Sequence, residues 1–276
     1  MIQTCVGPQW NIPLTSKSKL NLDNILIGKF FGVYTLGLYE RVYQIVMAPM
    51  LQGMQPLGAV IPQILKDLQG NEYSRLYLSF TSSALIPAAM CFALGFTMSE
   101  EIVGLILGEK WIEAAIYFKW LCVAALFQVI GISSGWVFIS LYKGREAMIW
   151  GLIGSAITCS SFMIGLPWGA IGVVKAYALM MTFVQIPVLS YYLSKISPIK
   201  FKSYLALMGK AGLAFISTVF FINLGIKELQ LQESSEKVIL GLLFLIIAMV
   251  NYYCTPGYSG KKDLGIIINN LKRHRF

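Results

Sequence analysis

The stretch LYLSFTSSALIPAAMCFALGFTM, residues 76–98, decides the fold class, because it contains no Asp, Glu, Lys or Arg. Spanning the hydrocarbon layer as a helix takes about 20 apolar residues, so this stretch is long enough. The sequence is 57% hydrophobic and 13% charged, too little polar surface for a soluble domain of this size. We predict an all-α integral membrane protein with about seven transmembrane helices and a partial first helix; the further charge-free stretches are 120–142, 147–166, 176–194, 211–226 and 238–254.

The loops between these stretches alternate in basic residues, and this alternation predicts their orientation. Lys and Arg close to helix ends are retained in the cytoplasm. Loops rich in Lys and Arg alternate with loops that are poor in them, such as 99–112, which is predicted to be an external loop. One topology, with a cytoplasmic C-terminus, therefore fits all the loops. The net charge of +9 is then a signature of the cytoplasmic face, and we expect no nucleic-acid partner. The basic segments are 66–75, 143–145, 195–202 and the tail after residue 256.

The N-terminal end fits this topology less well. Residues 1–19 contain Pro8, Pro13 and a polar stretch, so they predict a non-spanning stub. Residues 20–31 supply only part of the helix that should precede an external turn at 28–32. We therefore expect the sequence to be truncated at its N-terminus, the alternative being a cytoplasmic tail on a short helix.

Residues 34–65 carry an ordered set of polar side chains on a helix that Pro49, Pro56 and Pro62 bend. At about 100° per residue, the polar side chains fill one arc of roughly 100°, and methionines occupy the opposite side. Such an arc is typical of the wall of a water-filled pathway, the alternative being hydrogen bonds between helices. We call this arc the polar stripe; it comprises Arg41, Gln44, Gln52, Gln55 and Gln63, with Met47, Met50 and Met54 opposite.

Three cations are predicted at one depth, roughly 10 Å below the external face at about 1.5 Å per residue. They are Arg41, Lys119 and Lys175. Together they predict a cationic cavity for an anionic, phosphate-bearing substrate, because a guanidinium grips phosphate with two bonds. The alternative is that each lysine extends toward the interface. Glu40 is the candidate for ion coupling, and the predicted substrate-binding residues are Arg41, Gln44, Gln52, Gln55, Lys119 and Lys175.

Several catalytic chemistries are excluded by composition. His274 is the single histidine of the sequence, and no GxxxxGK[ST] phosphate loop occurs. The five cysteines have no paired spacing and are typical of small apolar residues. Because the predicted loops are also too short for a catalytic domain, we expect no cofactor, no metal site and no enzymatic activity.

Five short segments occur in an order that resembles a known family. They are DNILIGKFFG at 23–32, LGLYERVY at 36–43, LGEKW at 107–111, KGR at 143–145 and GLPWGAIGV at 165–173. In this order they resemble the C-terminal half of bacterial Wzx-type polysaccharide and O-antigen flippases, in the multidrug/oligosaccharidyl-lipid/polysaccharide exporter superfamily. Lys175 departs from the pattern, which has a small apolar residue there.

The resemblance implies a two-lobe transporter of which this sequence holds one lobe. Residues 20–195 would form the C-terminal six-helix lobe, and 196–276 an additional helix pair with a basic cytoplasmic tail. The implied activity moves undecaprenyl-diphosphate-linked oligosaccharide across the bacterial inner membrane for surface polysaccharide such as lipopolysaccharide. The implied partners are the bilayer, that substrate, and a missing N-terminal lobe or a second copy. The alternatives are an integral-membrane glycan polymerase or ligase, and a drug or ion exporter of the same superfamily.

Overall fold

The computed structural model describes residues 15–229 and 234–254, with side chains over 27–229, 236–250 and 252. The basic tail predicted to be cytoplasmic lies outside these residues. Over the described residues the chain is helical almost throughout. Its helices are α1 (Thr15–Leu65), α2 (Gly70–Thr97), α3 (Ser99–Leu107), α4 (Ala115–Ala125), α5 (Gln128–Ser140), α6 (Gly144–Gly165), α7 (Gly169–Met180), α8 (Ile186–Ile196), α9 (Phe201–Glu228) and α10 (Ser234–Cys254).

Helix α1 is interrupted at Gly32, at the end of the turn predicted for 28–32. Gly32 has φ 85° and ψ 167°, a backbone conformation that favours glycine. A Cβ atom built on Gly28 would lie 3.1 Å from Leu36 Cδ2. In a straight helix these two positions would be about 12 Å apart along the axis, so the chain bends sharply between them. The helix before the bend begins at Thr15, inside the stretch predicted as a stub.

Residues 99–112, predicted as an external loop, are instead mostly helical. They form α3 and the 3₁₀ turn Glu109–Ala114. The apolar side chains of this segment explain the difference, because Val103 is fully buried and Ile102 and Leu107 pack on the core. Helices α4 and α5 then form a pair that bends by 41° at Leu126–Phe127 and is together long and apolar enough to cross a membrane.

Helices α6, α7 and α8 form an antiparallel hairpin. Side-chain pairs run in opposite directions along its two arms, from Phe162–Tyr177, with ring centroids 5.6 Å apart, to Trp150–Tyr192 at 6.1 Å. The arms approach closely at the turn, since a Cβ on Gly165 would lie 2.7 Å from the Gly172 carbonyl oxygen. This reversal matches the two separate spans that the sequence predicts. A short π-helical segment, Met181–Gln185, joins α7 to α8.

One apolar core joins α1 to α9, and α9 packs along α2 through Phe96–Phe215 and Tyr77–Tyr204, with centroids 5.7 and 6.0 Å apart. Helix α10 covers the predicted segment 238–254 and joins the fold at its edge. Its Lys237 Nζ lies 3.7 Å from Glu101 Oε1 on α3.

The prediction of an all-helical membrane protein is confirmed for the described residues, which contain no strand. Four stretches, Ile27–Leu65, Gly70–Thr97, Gly144–Ile196 and Phe201–Glu228, are long and apolar enough to cross a membrane. The bent pair Glu109–Ala125 and Gln128–Ser140 makes a fifth. Because Gly144–Ile196 folds back on itself as a hairpin, it supplies two antiparallel segments, each long enough to cross a membrane.

Candidate functional site

The polar stripe lies on the exposed side of α1. The methionines on the opposite side are buried, with Met47 5%, Met50 9% and Met54 5% exposed. Helix α1 therefore turns its apolar side into the bundle and its polar side outward, although both sides lie within a membrane-length segment. All five members of the stripe are exposed: Arg41, Gln44, Gln52, Gln55 and Gln63.

Within the described residues, no member of the polar stripe has a hydrogen-bond or ion-pair partner. Glu40, the predicted ion-coupling residue, is also exposed and forms no ion pair with any described residue. Hydrogen bonds between helices of the described chain, the alternative reading of this stripe, are therefore not observed. Unpaired polar groups on a membrane-length helix require water, a ligand or another protein surface to hydrogen-bond with.

Lys119 and Lys175 lie over aromatic rings. The Lys119 Nζ is 4.9 Å from the centroid of Phe96 on α2, and the Lys175 Nζ is 5.3 Å from that of Trp120 on α4. A cation over a ring face is attracted by the ring quadrupole, so each ammonium has a local partner. Arg41 is the predicted site cation that has none among the described residues. A shared role of the three cations in one substrate site stays a prediction.

A polar contact joins α1, just after its interruption at Gly32, to another part of the chain. The Tyr34 hydroxyl donates a hydrogen bond to Glu113 Oε2 at 3.0 Å. This bond joins α1 to the 3₁₀ turn before α4, two turns from Arg41. Neither residue stands out in the sequence, because the two are 79 positions apart in the chain.

An apolar crevice with a volume of about 320 Å³ lies beside the polar stripe, between α1, α2 and α4. Ile45 and Pro49 line it from α1, Ala88 and Cys91 from α2, and Phe118 from α4. Cys91 is exposed at this crevice, whereas Cys122, which also lines it, is buried. The sequence predicted the cysteines as small apolar residues but gave no sign of a cavity, since the cavity walls come from several separate helices.

A buried polar group that sequence analysis missed lies where two crossings are irregular. The Thr182 hydroxyl, in the π-helical segment, donates to the Val123 carbonyl just before the bend between α4 and α5, at 3.3 Å. The Thr158 hydroxyl on α6 lies 3.3 Å from Gln185 Oε1. Polar residues within otherwise apolar spans were the available signal for this group.

A second set of buried polar side chains lies toward the predicted cytoplasmic end of α2. Tyr77 and Ser133 hydroxyls are 2.9 Å apart, and Tyr73 and Ser140 hydroxyls 2.8 Å apart. Ser133 also donates to the Ile130 carbonyl at 3.2 Å. We call these two contacts the buried hydroxyl pairs; they join α2 to α5.

Taken together, these features define a multi-pass α-helical membrane protein with one polar, exposed helix face. Comparison with known proteins then shows which proteins the chain is similar to. Residues 13–116 match the family model described as polysaccharide biosynthesis protein. Over 141 residues the chain is 28% identical to the teichuronic acid biosynthesis protein TuaB of Bacillus subtilis (strain 168). Both matches are to proteins described as acting in polysaccharide biosynthesis, which agrees with the resemblance found in the sequence.

The TuaB match covers 50% of this chain and 29% of TuaB. No solved structure gives a significant match to the chain. That this chain corresponds to the C-terminal half of a flippase, with lobes at the predicted boundaries, stays a prediction.

Proposed function

We propose that the chain takes part in moving a lipid-linked oligosaccharide, carried on undecaprenyl diphosphate, across the bacterial inner membrane, and that it is a transporter and not an enzyme. The observation that carries this proposal is the exposed polar stripe on α1. If α1 turned Arg41 and several glutamines toward lipid, their polar groups would lie in hydrocarbon at a cost of several kcal/mol. The stripe is better explained as one wall of an aqueous pathway.

The chemistry of the stripe favours an anionic sugar carrier over a drug cation. Arg41 presents five N–H donors in a planar fork, which matches phosphate oxygens. Gln44, Gln52 and Gln55 add donors and acceptors that suit sugar hydroxyls. The one carboxylate beside them, Glu40, is the group that a cation exporter of this superfamily would use.

The opposite wall of such a pathway is not supplied by the described residues. We propose that a second lobe or a second copy of the chain faces the stripe, with the bilayer around both. The topology in this proposal places the loops at 143–145 and 195–202 and the C-terminus in the cytoplasm, following the positive-inside rule.

The test is binding of undecaprenyl diphosphate to the purified chain in nanodiscs of phosphatidylcholine. We expect Arg41→Ala to weaken binding about tenfold or more, because a hydrogen bond to a charged group contributes about 1.5–3 kcal/mol. Arg41→Lys should restore binding in part, since lysine keeps the charge and loses the two-bond grip.

Arg145→Ala is the matched control, because Arg145 is also exposed but lies at the start of α6 in a basic loop. It should bind as the parent chain does. Unchanged binding by Arg41→Ala at normal yield of folded protein would refute the proposal.

A further inference from the structure

The apolar crevice and the polar stripe share a border along α1. Ile45 follows Arg41 by one helical turn, and Pro49 follows Ile45 by another, so the three side chains form a row. Arg41 is the exposed cation of the stripe, and Ile45 and Pro49 line the crevice. A molecule bound at Arg41 would therefore meet the crevice within one turn of the helix.

The crevice is suited to hydrocarbon and not to water. Its walls are aliphatic, aromatic and proline side chains together with two thiols, and a cavity lined in this way stays dry. Atoms that line an empty space lose van der Waals contacts on one side. An apolar opening within the membrane therefore favours occupation by a hydrocarbon chain. Its volume of about 320 Å³ lies at the lower end of the range of ligand pockets, about 300–1,000 Å³.

The opening of the crevice is also accessible. Cys91 is exposed at its edge, and Pro49 is exposed on the facing helix. A chain could thus enter from the side without displacing the core, since the buried wall is formed by Met50 and Cys122.

We infer that this crevice between α1, α2 and α4 holds part of the hydrocarbon tail of the same amphiphile whose diphosphate binds at Arg41. The inference rests on the proposed function and adds to it a site for the lipid part of the substrate. The positive charge of Arg41 favours an anionic amphiphile as the occupant. When the anionic head binds at Arg41, its tail is positioned beside the crevice, whereas a neutral lipid forms no such ionic contact with Arg41.

The test uses the full chain in phosphatidylcholine nanodiscs and a polyprenyl diphosphate that carries a photoreactive diazirine in its chain. Cross-links should map to residues 88–95 of α2. Ala88→Phe fills the crevice and should lower this cross-linking about tenfold, as expected when a pocket is blocked. Ala156→Phe is the matched control, because Ala156 is exposed on α6, and it should stay near the parent value.

Cys91→Phe provides a second blocking variant if Ala88→Phe does not fold. Cys91 lines the crevice at an exposed position, so the larger phenylalanine side chain can be accommodated there. Cys91→Phe should also lower the yield of cross-links at residues 88–95. Cross-linking that maps elsewhere, or that neither blocking variant reduces, would overturn the inference. Equal competition by excess phosphatidylglycerol would also overturn it, since the crevice would then take any anionic bilayer lipid.

Total binding of the probe separates this inference from the proposed function. Binding that depends on Arg41, with cross-links outside 88–95, contradicts the crevice and leaves the proposed function standing. Binding no stronger than that of phosphatidylglycerol and indifferent to Arg41→Ala contradicts both.

Discussion

The polar stripe on α1 and the buried hydroxyl pairs between α2 and α5 place polar side chains in opposite environments. Tyr77 and Ser133 are fully buried and bonded to each other, whereas Arg41 and Gln52 are exposed and have no partner in the described chain. Burial of a polar group costs free energy unless the group is hydrogen-bonded. The pairs are therefore explained by packing within the chain, and the stripe requires something outside it.

The largest effect on stability is expected at the buried hydroxyl pairs. Tyr77→Phe should lower the free energy of unfolding by about 1 kcal/mol, the usual contribution of one hydrogen bond. Ser133 still donates to the Ile130 carbonyl, so its own hydroxyl is not left unbonded. Denaturant unfolding in detergent measures the change.

Tyr142→Phe is the control for this change, because Tyr142 is 83% exposed. It should leave unfolding unaltered. A double-mutant cycle of Tyr77→Phe with Ser133→Ala should show coupling between the two sites. Additive effects would mean that the pair does not hold α2 to α5.

A smaller effect is expected at the two lysines. Lys119→Ala and Lys175→Ala should lower stability by about 0.5–1 kcal/mol through loss of their ring contacts. Each should weaken binding of undecaprenyl diphosphate less than Arg41→Ala does. A loss equal to that of Arg41→Ala in the same nanodisc assay would show that the three cations form one site.

Properties that depend on a local sequence pattern could be predicted from the sequence. The lengths of the charge-free stretches predicted the membrane-length helices, and the turn between α6 and α7 falls between the predicted stretches 147–166 and 176–194. The spacing of Arg41, Gln44 and Gln52 predicted that they share one side of α1, and the structure shows that Met47 and Met54 on the opposite side are buried. These features follow from helical period and hydropathy alone.

Features that depend on distant partners were not predictable in this way. The helical form of 99–112 follows from burial of Val103 on helices elsewhere in the chain. The positions of Lys119 and Lys175 over Phe96 and Trp120 depend on how α2, α4 and α7 pack. The crevice likewise arises from several helices that no local sequence pattern relates.

The most direct measurement of the central claim is water accessibility along α1. Single cysteines at Gln44, Gln52 and Gln55, and at Met47 and Met54 as buried controls, would be treated with a membrane-impermeant thiol reagent in membranes, and labelling above that of the parent chain recorded. We expect labelling at the three glutamine positions and none at the two methionine positions. Glutamine positions that resist the reagent as the methionine positions do would contradict an aqueous pathway along the polar stripe.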